Sequence, residues 1–335
     1  MKLPDFLPDA IERLPNAPWT GPSLGPRTTT VLLFAGVMLV LVLATLFGRY
    51  LRWRVKGRRV GVIASYNARV HGWWIMVFVI ALAFLAGRKG VVMLFAFVSF
   101  GALREFLRVM RHSDDDRLAS LTALWLILPL QYFLLWLDWY GLFAIFIPVY
   151  AFALLPTLAA VPQNTDDFLA RSASLQWGLM VCAYSVSHIP ALLNLRIAGY
   201  EGHNLLLMAY LILVVQGSDV LQYLWGKLFG RHKLAPRLSP SKTVEGLIGG
   251  IVSASLLGAL LHPLTPFSVG QSGAIALLVT LMGFFSGLVL SAVKRDRGLK
   301  DWGTLIEGHG GMLDRLDSMV FSAPLFFHIV RFWWA

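Results

Sequence analysis

The amino-acid sequence predicts an all-α polytopic membrane protein of about ten transmembrane helices, with a polar site facing the cytoplasm. Three observations predict it. Apolar runs near ~20 residues, the length that crosses a bilayer, recur along the whole chain. Charged residues make up 14 % of the chain and hydrophobic ones 57 %, whereas a soluble domain has ~25 % charged residues; mean hydropathy is +0.67. The in/out alternation that marks a membrane β-barrel is absent.

The elements follow in order. Residues 1–28 are rich in Pro and lack the apolar core of a signal peptide, so they are expected to stay on the chain as a short interfacial segment. Spans are drawn near 29–48, 72–87, 90–103, 119–137, 141–161, 173–195, 203–225, 246–265, 273–293 and 318–334. The second and third are short, and Gly87-Arg88-Lys89-Gly90 joins them as a tight hairpin or a re-entrant pair. The seventh carries Gln216, Ser218, Asp219 and Gln222 in its second half. Cys182, the single cysteine, falls in an apolar run and reads as a buried structural thiol. The chain divides into helices over 29–200 and a region 201–335 whose loops, 226–245 and 294–317, carry the chemistry.

Charge sets the orientation. Of the 29 Lys and Arg, 22 fall in loops 49–71, 104–117, 162–172, 226–245 and 294–317, which ten spans place on one side. The positive-inside rule puts that side in the cytoplasm and both termini outside. The net charge of +11 then reflects retained loops and affinity for anionic lipid, not nucleic acid. The basic, aromatic stretch Arg49–Arg59 reads as lipid contact or as topology alone. Arg111–Arg117, with three adjacent acids, reads as a solvated turn rather than a metal site.

Two loops look chemical. In the first, Asp219 lies within an apolar helix, where an ionisable group is costly and marks a site unless a basic partner neutralises it. Ser239-Pro240-Ser241-Lys242-Thr243 follows, a compact set of hydroxyl and ammonium donors suited to phosphate oxygens. The second loop holds the densest charge of the chain between two apolar runs. Asp314 and Asp317 are three apart and share a face if helical. With Asp219 they suit a hard cation such as Mg²⁺, which takes oxygen ligands and keeps waters and substrate phosphates. Gly308-His309-Gly310-Gly311 offers close backbone approach, and its amides lead into a helix start that favours phosphate. Lys294, Arg295, Lys300 and Arg315 can neutralise a polyphosphate. His309 reads as a phosphate donor, a base or a packing residue. Asp296 reads as a partner of its basic neighbours, and Asp301 as either such a partner or an orienter of a site cation. A solvated loop explains the cations, but not Asp301, Asp314, Asp317 and the glycines together. These features fit phosphoryl or nucleotidyl transfer between a soluble nucleotide and a lipid.

The residues also carry a resemblance. Ser291-x-Val293-Lys294-Arg295-x4-Lys300-Asp301-x-Gly303-x2-Ile306-x-Gly308-His309-Gly310-Gly311-Met312-x-Asp314-Arg315-Leu316-Asp317 resembles the signature of the phosphatidate cytidylyltransferases, or CDP-diacylglycerol synthases. Upstream, Asp219, Tyr223, Gly226–Pro236, Ser239-Pro240, Lys242-Thr243 and Glu245-Gly246 are similar as well. The likeness covers the last third of the chain strongly. It implies that CTP and phosphatidic acid give CDP-diacylglycerol and pyrophosphate. It implies Mg²⁺, with a monovalent cation such as K⁺ able to assist, and metal-binding acids at Asp219, Asp314 and Asp317, with Asp219, Lys294, Asp314 and Asp317 as the catalytic set. Phosphate contacts fall to Ser239, Lys242, Lys294, Arg295, Lys300, His309, Gly310, Gly311 and Arg315. A homodimer in a bacterial cytoplasmic membrane is also implied. Two departures bear on substrate identity more than on reaction type. Glu307 stands where the family usually has Pro, and Val220, Leu221 and Gln222 replace small and hydroxyl residues. They read either as a divergent paralogue acting on another phospholipid or an isoprenoid phosphate, or as a Glu307 that lies outside the pocket and caps or pairs locally. The rival activities are a CTP-dependent lipid kinase and a transporter.

Overall fold

The computed structural model describes residues 25–54, 60–110, 114–303 and 310–335. Helix α1 spans Pro26–Arg54, α2 Val60–Leu85, α3 Gly87–Met110, α4 Arg117–Trp136 and α5 Tyr140–Ala160. Residues 168–191 form α6, and α7 covers Asn204–Phe229. A two-stranded antiparallel hairpin follows, β1 Lys233–Ala235 and β2 Ser239–Thr243. Then come α8 Val244–Leu260, α9 Val269–Asp296, the single turn α10 Leu313–Leu316, and α11 Met319–Trp334. Among the described residues seven of these helices are long and apolar enough to cross a membrane, and α8 and α11 are shorter apolar helices. The all-α polytopic expectation holds, with the small hairpin inside the segment expected as loop.

Two expectations change. The second and third spans are not a short re-entrant pair, because α2 and α3 run 26 and 24 residues. At ~1.5 Å per residue each is longer than the hydrocarbon core. Loop 49–71 shrinks accordingly. Gly87, at φ +66, turns the chain between them, a left-handed conformation that costs glycine nothing.

Local chemistry sets several boundaries. Thr243 caps α8 by accepting from the Gly246 amide at 3.1 Å. Ser268 and Gln271 form a reciprocal capping box at the start of α9. Pro129 and Pro148 each lack an amide donor. The helix widens to π-helical turns at Ala123–Ile127 and Phe146–Ala151 beside them.

Side-chain contacts group the loops by end. At one end Asp116 pairs with Arg171 at 3.0 Å, joining loops 104–117 and 162–172. Arg295 donates to the Leu238 carbonyl at 3.2 Å, joining loops 226–245 and 294–317. At the other end Arg88 donates to Asn194 and to the Leu135 and Trp136 carbonyls, and Arg196 pairs with Asp138. The alternation matches the order of spans read from charge. Asp116 is not solvated as expected: it is 3 % exposed, and its carboxylate partners a buried guanidinium. Cys182 is fully buried.

Candidate active site

The site is assembled from α7, β2, α9 and the 310–317 segment. Helix α9 approaches that segment through small residues. Ser286 donates to the Asp317 carbonyl, and a Cβ at Gly283 would come within 3.1 Å of the Ser318 carbonyl oxygen. One turn on, a Cβ at Gly287 would sit 3.3 Å from Lys242 Nζ. Lys242, carried in by β2, lies with its ammonium 4.4 Å from the Phe284 ring centroid, a cation–π seat that fixes a flexible side chain.

Lys294, in the last turn of α9, is 7 % exposed. Its Nζ donates to Asp314 Oδ1 at 2.7 Å. The other oxygen, Oδ2, accepts from the amides of Trp302 at 2.8 Å and Gly311 at 2.9 Å. Asp314 therefore ties the end of α9 to both strands of the loop. Gly310 makes this possible. Its φ is +82, and a Cβ there would lie 2.6 Å from Asp314 Oδ2.

Asp219 sits ten residues before the end of α7, yet it is exposed. Its carboxyl adjoins Asp317, Ser318 and Lys242. Asp317 is half-buried, flanked by Lys294, Lys242 and Asp314. Burial pushes its carboxyl above the usual carboxylate range, against the pull of the two lysines. Burial likewise draws the Lys242 ammonium below the usual lysine range, while Asp317 and Asp219 draw it back. Two carboxylates and two ammonium groups thus meet where loops 226–245 and 294–317 join the bundle.

Comparison with known proteins gives the family of the chain. Residues 67–333 match the profile of the cytidylyltransferase family. The chain belongs to the cytidylyltransferase family. It is 35 % identical over 301 residues, 89 % of its length and 97 % of the relative, to the uncharacterised protein YnbB of Escherichia coli strain K12. It is 31 % identical over 238 residues, 68 % of its length and 84 % of the relative, to the phosphatidate cytidylyltransferase of Bacillus subtilis strain 168. The phosphatidate cytidylyltransferase of Staphylococcus saprophyticus is 39 % identical over 127 residues, 37 % of this chain and 48 % of that protein.

The cytidylyltransferase chain brings Asp219, Lys242, Lys294, Asp314 and Asp317 together. Arg315 is half-buried in α10, and its carbonyl faces Gln216 of α7 at 3.5 Å. Arg295 is exposed and spans the Leu238 and Leu299 carbonyls. Lys300 and Asp301 are exposed, and Ser239 is half-buried in β2. Asp296 pairs with Arg297 at 3.4 Å, as its basic neighbours suggested. His309 and Glu307 lie outside the described residues.

Gln222, one turn from Asp219, donates to Ser218 Oγ at 2.7 Å and packs on Gly250 of α8. One reading needs correction. The amides of Gly311, Met312 and Leu313 are not open to a phosphate. Asp314 takes the first, and Glu105 of α3 takes the other two, Oε1 from Met312 at 2.9 Å and Oε2 from Leu313 at 3.1 Å. No local signal marked Glu105, which reads in sequence as one more charge at a helix end.

The donor set suits magnesium in one specific way. Mg²⁺ is commonly held by one or two carboxylates, with waters and substrate phosphates completing its shell. Asp219 and Asp317 offer that. Asp314 has Oδ1 on Lys294 and Oδ2 on two amides. Among the described residues no group of three or more His, Cys, Asp or Glu could hold a metal by itself, so substrate oxygens would complete the shell.

Proposed function

We propose that this protein transfers the cytidylyl group of CTP to phosphatidic acid, giving CDP-diacylglycerol and pyrophosphate, at the cytoplasmic face of a bacterial cytoplasmic membrane. The observation that carries the reading is the pair Asp219 and Asp317 beside Lys242 and Lys294, at the end of the bundle where the positive loops gather. Membership of the family and likeness to a named phosphatidate cytidylyltransferase support it.

A divalent metal such as Mg²⁺, held by Asp219 and Asp317, would supply charge neutralisation to phosphate oxygens. The remaining work falls to the chain. A phosphate oxygen of phosphatidic acid attacks the α-phosphorus of CTP. A new O–P bond forms, the bond from the α-phosphorus to the bridging oxygen breaks, and pyrophosphate leaves with that electron pair. The attacking monoester is already ionised, so no side chain need serve as nucleophile. Lys242, seated on Phe284, would neutralise the reacting phosphates, and Lys294 would do so from a position set by Asp314. Such preorganised charge costs no reorganisation at the moment of reaction. Arg295, Lys300 and Arg315 would hold the outer phosphates.

The test uses purified protein in detergent with Mg²⁺, phosphatidic acid and CTP labelled at either the α- or the γ-phosphate. Label from the α position in the lipid fraction, absent in Asp219→Asn, is expected. Lipid label from the γ position would identify a CTP-dependent lipid kinase instead. No lipid label from a folded preparation would overturn the choice of phosphatidic acid.

A further inference from the structure

We propose that Glu105 of α3 is a positioning residue for this site, holding the segment that carries Asp314 and Asp317; the inference rests on the cytidylyltransferase reading above. Both carboxylate oxygens of Glu105 are engaged, one on the Met312 amide and one on the Leu313 amide. The fit leaves no spare room. A Cβ at Gly311 would lie 2.4 Å from Glu105 Oε2, and a Cβ at Gly303 would lie 2.8 Å from Oε1. Gly303 and Gly311 thus both face one side chain of α3.

Neighbouring residues of α3 complete the seat. A Cβ at Gly101, one turn earlier, would meet the Met312 side chain at 3.6 Å. Phe106, the next residue, packs its ring 5.5 Å from that of Trp302. The Trp302 amide in turn donates to Asp314 Oδ2. Glu105 and Asp314 therefore grip consecutive amides of one turn, Glu105 those of 312 and 313, Asp314 that of 311. A shift of the first grip moves the second, and with it the ammonium of Lys294.

Glu105 differs from a metal ligand on these distances. Each oxygen already accepts an amide hydrogen, whereas Asp219 is an exposed residue. The glycines at 303 and 311 are explained by its bulk, not by the approach of a ligand.

Glu105→Gln is the variant of choice, since it keeps the shape. It retains one acceptor oxygen but turns an N–H₂ toward the second amide. Turnover with Mg²⁺, CTP and phosphatidic acid should fall by ~100-fold, the effect of a small displacement of catalytic groups. The KM values for both substrates should stay within about threefold, because the displaced groups serve the reacting phosphates. Hydrogen exchange of peptides covering 310–317 should quicken in Glu105→Gln and not in Asp219→Asn. Recovery of turnover by excess Mg²⁺ would overturn the proposal in favour of metal ligation. Unchanged turnover would overturn it, as would loss of exchange protection across α3 and α9 together, which would mark a role in the fold. Wild-type protein inactive on phosphatidic acid would count against the substrate reading alone, because local exchange still reports whether Glu105 holds the turn.

Discussion

Asp219 shows what a single residue must satisfy in this setting. It lies about 15 Å along α7 from the Phe229 end, at ~1.5 Å per residue, and its side chain is exposed. An ionised carboxylate at that depth persists only beside water, a cation or a basic group. Lys242 supplies part of this, and substrate with metal would supply the rest. Asp219→Asn should lower turnover by at least ~100-fold, the order seen for losing a key electrostatic group, in a Mg²⁺-saturated assay. Near-normal rates at limiting Mg²⁺ would remove Asp219 from the metal. Lys294 differs from Lys242 in kind. Its pair with Asp314 is buried on both sides, the side chains being 9 % and 8 % exposed. Removing one partner of a buried pair strands the other charge and costs ~3–5 kcal/mol. Lys294→Met should therefore lower the thermal midpoint in detergent, whereas Lys300→Met, at an exposed position, should change stability by no more than ~0.5 kcal/mol.

Among the elements, the α7–α8 contact carries the clearest steric demand. A Cβ at Gly250 would fall 2.2 Å from Gln222 Cγ and 2.7 Å from Gln222 Cα. Gly250→Ala should force the helices apart at a cost of ~1–3 kcal/mol, measured as a drop in unfolding temperature and in turnover. Gln222→Ala should not rescue it, because the backbone of α7 is itself in the way. Full rescue would show that the side chain alone sets the spacing. The β-hairpin next to this contact is braced differently. Glu245, in the first turn of α8, accepts from the amides of Arg231 and His232 and from His232 Nδ1. The entry to β1, which pairs with the strand bearing Lys242, is thereby tied to α8, and the Lys242 ammonium meets Phe284 of α9.

For the whole molecule, loop charge sets the expected orientation, with the five positive loops in the cytoplasm. With Cys182 replaced by Ser, Arg237→Cys and Glu201→Cys report on opposite ends of the bundle, both at exposed positions. A membrane-impermeant maleimide should label Glu201→Cys in cells with a permeable outer barrier and an intact cytoplasmic membrane. It should label Arg237→Cys only once that membrane is opened. The reverse pattern would place the site outside and remove CTP as a plausible substrate. The two ends are held by different chemistry. The end with the positive loops carries the buried Asp116–Arg171 pair at 3.0 Å. The opposite end relies on Arg88 bonds to carbonyls and on the exposed Arg196–Asp138 pair. Surface pairs of that second kind contribute ~0–1 kcal/mol, so the first end is expected to be the stiffer.

The sequence by itself determined the membrane class, the order of spans, the grouping of loops and the residue types of the site. Hydrocarbon length and loop charge are sums over neighbouring residues, so they survive without any knowledge of packing. It also determined that Asp219, Asp314 and Asp317 belong together, through their spacing and their likeness to a known signature. Tertiary structure decided what those residues touch. Asp314 bonds Lys294 and two amides, Asp317 is half-buried beside Lys294 and Lys242, Asp219 is exposed beside Lys242, and Gln222 packs on α8. It also decided that α2 and α3 are full-length helices. Above all it brought in Glu105, which meets Met312 across 207 residues of chain. No local pattern encodes a bond of that reach. The two amides take whichever carboxylate packing delivers, and only the arrangement of helices shows that α3 delivers one.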